Sequence, residues 1–156
     1  LCPSEIEPRY SIETIEVELE VPATIPSQQL TDSTGRTVSF PKFRSSCIVT
    51  CAVDIDTRTG SIVRASVKDS SLDLGLAEPP SSDLEHNSAM NILHIQVINP
   101  SDCITIASDK KSFRINAEME AKVHYEIIWM NTTPPVPSLY EDLYFNISGS
   151  ATYRTA

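Results

Sequence analysis

The side chains of this 156-residue sequence that could do chemistry are three histidines, four cysteines and several closely spaced acids. Cys47 and Cys51, in "CIVTC", stand four residues apart. On a helix they would share a face and could begin a zinc site. On a strand they would lie roughly 13 Å apart, beyond disulfide reach. Their neighbours are β-branched and alternate in polarity, which selects the strand, so the two thiols should neither bridge each other nor hold zinc. Buried thiols, or bridges to Cys103 and Cys2 in any of three connectivities, remain.

"DIDTRTG" opens like a calcium loop, in which acids at alternate positions aim oxygen ligands inward. Its fifth position is Arg58 and its twelfth is Ala65, where a bidentate Glu belongs. A hairpin turn with Gly60 at the left-handed position fits better. The histidines are His86, His94 and His124. Nucleophilic catalysis needs a Ser or Cys held by a histidine that a carboxylate orients. The chain has no Gly-x-Ser-x-Gly, and the acids nearest His124 in its outward phase, Glu120 and Glu126, are what a solvated sheet face shows anyway. The carboxylate pairs Glu16/Glu18 and Glu118/Glu120 would stand about 7 Å apart on a strand, a spacing compatible with glycoside hydrolysis. No aromatic cluster accompanies them to stack a sugar. The expectation is no catalytic, cofactor-binding or metal-ligating residue, and no cofactor.

The elements that must position these residues are strands. In "IETIEVELEVP" the residues Glu13, Ile15, Val17, Leu19 and Val21 share one face, and Thr14, Glu16, Glu18 and Glu20 the other. Cys47, Val49, Cys51, Val53 and Ile55 alternate likewise, and Ile62–Val67 returns as a second strand with Val63, Ala65 and Val67 facing Val53. "FRINAEMEAKVHYEIIW" carries the strongest signal: Phe113 to Trp129 fall in one phase at every second residue. A straight strand of that length spans roughly 56 Å, so it should bend or divide between two sheets. Ser82 or Asp83 should cap one or two helical turns around Leu84–Met90. "MNTTPPVPSLYEDL" should be loop, with the final strand starting at "YFNISGSATYR". The inventory is seven or eight strands and at most one short helix. The expected fold is mainly β, an antiparallel β-sandwich or jelly roll, in one domain spanning 1–156.

A net charge of −9 disfavours nucleic acid and anionic lipid. The scarcity of glycine, 4 against 11 prolines, removes the material for phosphate-cradling loops. No run of 18 apolar residues is present, so no transmembrane segment is expected. Acids dominate residues 1–26, whereas bases dominate 36–68 (Arg36, Lys42, Arg44, Arg58, Arg64, Lys68). The sequons Asn131-Thr132-Thr133 and Asn146-Ile147-Ser148 suit a secreted glycoprotein.

The run "FPKFRSSCIVTCAVDIDTRTGSIVRASVKDSS", with Ala89 and Pro100 downstream, resembles the C-terminal domain of TonB-type energy transducers, over roughly residues 40–100. That family has a Tyr-Pro entry, where this chain has Phe40-Pro41, then a strand, an acid-to-Gly hairpin, a strand ending in Ser-Ser, and a helix running from Ala to Pro. The resemblance implies a periplasmic force-transducing domain with a helix over Ala89–Pro100; the family's Trp is Gln96 here. The leading expectation from the residues themselves is a non-enzymatic structural or interaction domain acting through protein contacts, including self-association. It would serve as a virus capsid or shell component or as a secreted surface-attachment module, extracellular or on a virion surface. A hydrolase with an unrecognised site is the third reading.

Overall fold

A computed structural model describes residues 11–73, 81–82, 86–130 and 135–155. Within them the alternating segments become ten strands and no helix: β1 (Ile12–Ile25), β2 (Gln28–Thr31), β3 (Thr37–Phe40), β4 (Phe43–Asp56), β5 (Ser61–Leu72), β6 (Ser81–Ser82), β7 (His86–Val97), β8 (Ile104–Ile106), β9 (Ser112–Trp129) and β10 (Leu139–Arg154). All pairings are antiparallel. A three-stranded sheet runs in the order β1-β4-β5, and a five-stranded sheet in the order β10-β9-β7-β6 with β8 also on β9. The fold is a sandwich-like all-β architecture.

Period-two alternation builds the core directly. Val21, Cys47, Val49, Cys51 and Val53 of the smaller sheet and Ile95, Phe113, Ile115, Met119, Val123, Tyr125 and Ile127 of the larger one are buried in a single cluster. Each large apolar side chain so removed from water contributes about 1.5–3 kcal/mol. The β2–β3 ribbon covers one end of this core, where Phe40 meets Tyr125 edge-on at 4.8 Å between ring centroids. Its turn is organised by Asp32, whose Oδ1 accepts from the Thr34 amide, the Thr34 hydroxyl and the Arg36 amide. Gly35 there takes φ +87°, which a β-carbon disfavours. Burial works against the Asp32 charge, but these hydrogen bonds outweigh it and hold its pKa below the usual carboxylate value.

The strand β9 is not divided between sheets. It runs unbroken through the larger sheet, and its neighbours are divided instead: β10 lines one side throughout, while β7 and β8 share the other end to end. Between β7 and β8 the chain leaves the sheet at residues 99–102. The Ile98 amide still donates to the Glu118 carbonyl, and Cys103 O still accepts from the Asn116 amide. The Asn99 side-chain amide fills the gap, donating to Asn116 O at 3.3 Å and accepting from the Glu118 amide at 2.9 Å. A side chain thus replaces the missing strand.

Several expectations need correction. His86–Met90, expected to be helical, belongs to β7, where Ser88, Met90 and Ile92 alternate inward and pair along β9; Leu84 and Glu85 lie outside the described residues. The TonB-like helix over Ala89–Pro100 is likewise the strand β7 followed by a turn. Val63 does not face Val53: a register shift between Asp54 and Ile55 leaves Val63 53% exposed and buries Ile62 at 1%. A one-residue slip of this kind reverses the face of a side chain. The last strand begins at Leu139, five residues before Tyr144. Cys2, Pro79-Pro80 and the sequon at Asn131 lie outside the described residues.

One close approach fixes how the sheets meet. A β-carbon built on Gly149 of β10 would sit 2.1 Å from the Pro22 carbonyl oxygen of β1 and about as close to Val21 and Met119 side chains as 3.0 and 3.1 Å. Only glycine fits there. Pro22 stands opposite Ser46 of β4, on a strand at the edge of its sheet, where proline is tolerated.

Candidate functional site

The outward phase of β9 is where sequence-singled residues converge. His124 stands opposite Asp142 on β10 and Asn91 on β7, Lys122 opposite Tyr144 and His94, and Glu126 opposite Tyr140. Cross-strand register alone places these side chains within reach of one another. His124 Nδ1 lies 2.5 Å from Asp142 Oδ1, and its Nε2 lies 3.0 Å from Glu126 Oε1. A neutral imidazole donates from one nitrogen only, so two carboxylate partners call for the imidazolium. The hydrogen bond to Asp142, then that to Glu126, raise the His124 pKa above the ordinary 6.5. Lys122 Nζ reaches 3.9 Å from the second Asp142 oxygen and lies 5.6 Å from the centre of the Tyr144 ring. His94 Nε2 is 3.8 Å from Glu120.

Two tyrosines stand over this ladder. Tyr140 is 58% exposed and lies nearly parallel to the His124 ring, with centroids 6.3 Å apart. Tyr144 is 61% exposed, with the Lys122 ammonium against it. Each ring thereby has a cation on one face and is held out from the sheet.

This geometry decides what His124 can do. General-base catalysis needs a ring nitrogen with a free lone pair facing a nucleophile. Both nitrogens of His124 are occupied by acceptors, and Tyr140 meets the ring by stacking rather than through its hydroxyl. The cluster is a charge ladder with aromatic rings on top, chemically suited to contact.

The other candidates are dispersed. Among the described residues no group of three or more His, Cys, Asp or Glu side chains is arranged to hold a metal ion. Cys47, Cys51 and Cys103 are free, buried thiols of the inter-sheet core. Burial, and then the proximity of Cys103, push the Cys51 thiol up to about 11, while burial also raises Cys47 and Cys103. Thiols so protonated are poor nucleophiles. The "DIDTRTG" segment is the β4–β5 hairpin, with Gly60 at φ +71°. Beside it a depression of about 450 Å³ is lined by Ile12, Asp54, Asp56, Val63 and Arg64. Asp54 there accepts from the Thr14 hydroxyl at 2.6 Å and from Arg64, which together hold its pKa below the usual value. Glu16 pairs with Lys68 at 3.6 Å on the exposed ridge of the smaller sheet. His86 lies instead beside Trp129, centroids 5.3 Å apart, and Arg36 sits 5.1 Å over the indole.

Sequence reasoning found Glu126 as a neighbour of His124 but missed Asp142, Tyr140 and the pairing of Tyr144 with Lys122. All three depend on β10, whose first five residues were assigned to a loop. The available signal was the in-phase set Leu139, Leu143, Phe145 and Ile147, which the upstream prolines masked. Comparison with protein-family models, with curated proteins and with solved structures returns no match, so the argument for function rests on this geometry.

Proposed function

We propose that this chain is a structural or interaction domain that works through protein contacts, and that the outer face of the five-stranded sheet is its contact face. The observation that carries the reading is the pair of outstanding tyrosines, Tyr140 and Tyr144, each backed by a cation of β9. Tyrosine offers large apolar area with a polar tip and few rotatable bonds, so it anchors interfaces at low entropic cost. A cation behind each ring weakens the attraction of its other face for a second cation, which favours a neutral or apolar partner surface over a basic one. The charges around them are interspersed and already paired, which suits a protein partner better than nucleic acid or anionic lipid. Such a domain fits a shell component, such as part of a virus capsid, or a secreted attachment module. An extracellular or virion-surface setting accords with the sequon at Asn146, exposed on the same face.

Sedimentation velocity across a wide concentration range, on the wild type and on the Tyr140→Ala/Tyr144→Ala double variant, tests the reading. The expected result is wild-type association that the double variant loses while keeping its melting temperature. A wild type that stays monomeric throughout overturns self-assembly as the mode of contact.

A further inference from the structure

Asn146-Ile147-Ser148 lies within β10, with Asn146 and Ser148 exposed on the outer face and Ile147 packed against the core between them. An Asn-x-Ser/Thr triplet in which x is not proline is the acceptor for N-linked glycans. Asn99-Pro100-Ser101, the other Asn-x-Ser among the described residues, is excluded by its proline, and its asparagine is engaged with the β9 ladder. Asn146 is not so engaged: among the described residues, neither its side chain nor that of Ser148 takes part in a hydrogen bond.

Two neighbours make a seat for a sugar there. Tyr144 precedes Asn146 by two residues, which on a strand puts both side chains on one face roughly 7 Å apart. Its ring is 61% exposed, with Lys122 Nζ 5.6 Å from its centre. The C–H-bearing face of a neutral pyranose meets the negative face of an aromatic ring favourably. Beside Ser148 the outer face sinks into a depression of about 390 Å³ lined by Asn116, Glu118, Ser148 and Ser150. Its hydroxyls and carboxylate match the hydroxyls and N-acetyl group of an N-acetylglucosamine.

We propose that Asn146 carries an N-linked glycan whose first sugar stacks on Tyr144, and that this glycan regulates the contact face. The inference deepens the contact-domain reading and rests on its extracellular setting. In the transfer, the Asn146 amide nitrogen attacks the anomeric carbon of a lipid-diphosphate-linked oligosaccharide. A C–N bond forms, the bond from that carbon to the diphosphate oxygen breaks, the lipid diphosphate leaves and the nitrogen gives up one proton to a base. With the sugar on Tyr144, a partner meets only Tyr140, roughly 13 Å along the strand. The contact face is complete where Asn146 is bare.

The test uses the chain secreted by a eukaryotic cell behind a cleavable signal peptide, as wild type and as Asn146→Gln, so that any glycan on Asn131 is common to both. Peptide mass mapping is expected to find a glycan on Asn146 that Ser148→Ala removes. A bare Asn146 in the secreted wild type overturns the site. Glycosylated wild type should melt about 2–4 °C above Asn146→Gln, and Tyr144→Ala should erase that difference while keeping the glycan. The same difference without Tyr144 overturns the stacking. In sedimentation velocity the Asn146 glycan should raise the dimer dissociation constant at least tenfold over Asn146→Gln. Equal association of the two overturns the regulation and leaves the contact domain standing. If Asn146→Gln is monomeric at every concentration, the contact reading fails and the regulation with it, whereas a glycan found on Asn146 and a melting difference that needs Tyr144 still uphold the site and its seat.

Discussion

The strands β1 and β10 are both sheet edges, they pack against each other where Pro22 meets Gly149, and they are built on opposite principles. β1 carries a proline and a ridge of glutamates; β10 carries no proline and presents a row of aromatic and hydroxyl side chains. Each is pinned to its neighbour near one end by a polar clamp, Thr14 to Asp54 for β1 and Asp142 to His124 for β10. One outer face is acidic and the other aromatic, although both strands complete the same core. Burial explains the inward faces equally well in the two strands, so the difference between them lies in what solvent, or a partner, meets.

Breaking the junction itself has the largest expected effect. Gly149→Val places a β-carbon on the Pro22 carbonyl, and the sheets must separate to admit it, costing ~3 kcal/mol or more in a chemical denaturation midpoint analysis. Pro22→Val sharpens the comparison: it leaves the carbonyl against Gly149 in place, and it is expected to change stability by no more than about 1 kcal/mol in the same denaturation analysis.

The two clamps should loosen at opposite ends of the pH scale. His124 has a raised pKa in the fold, so its contribution is full below the ordinary 6.5 and fades as pH rises through the folded value. Hydrogen-exchange protection factors at Tyr140–Leu143, corrected for intrinsic exchange, should therefore fall on that rise, and His124→Gln should remove that fall. Asp54 has a lowered pKa, so its contribution is present above the ordinary 3.8 and is lost as pH falls through the folded value. The smallest expected effect is that of Thr14→Ala: faster exchange around Thr14–Glu16, with the acid limb of that profile moved toward 3.8. Equal pH profiles for the two strand ends would refute the opposition.

Much of this was legible because a half-buried strand writes its burial into alternate residues. Phe113 to Ile127, Leu19 to Val21 and Cys47 to Val53 went to the core as their phase demanded. What alternation does not encode is a slip: the bulge that turns Val63 outward and Ile62 inward leaves a run of apolar residues readable in either phase. The phase of β9 extends to Trp129, whose indole packs against the core half-buried, with Arg36 over its ring. The contact face was illegible for a different reason. Register joins His124 to a residue eighteen positions away, and no local pattern states which strand will lie alongside.

The excursion between β7 and β8 has a practical consequence. Asn99 closes the ladder upstream and Cys103 re-enters it downstream, so the turn between them, closed by the Asp102 amide on the Asn99 carbonyl, carries no bond to β9. A guest peptide inserted between Ser101 and Asp102 would be displayed on a natural grafting site, leaving the sandwich beneath it to fold as before.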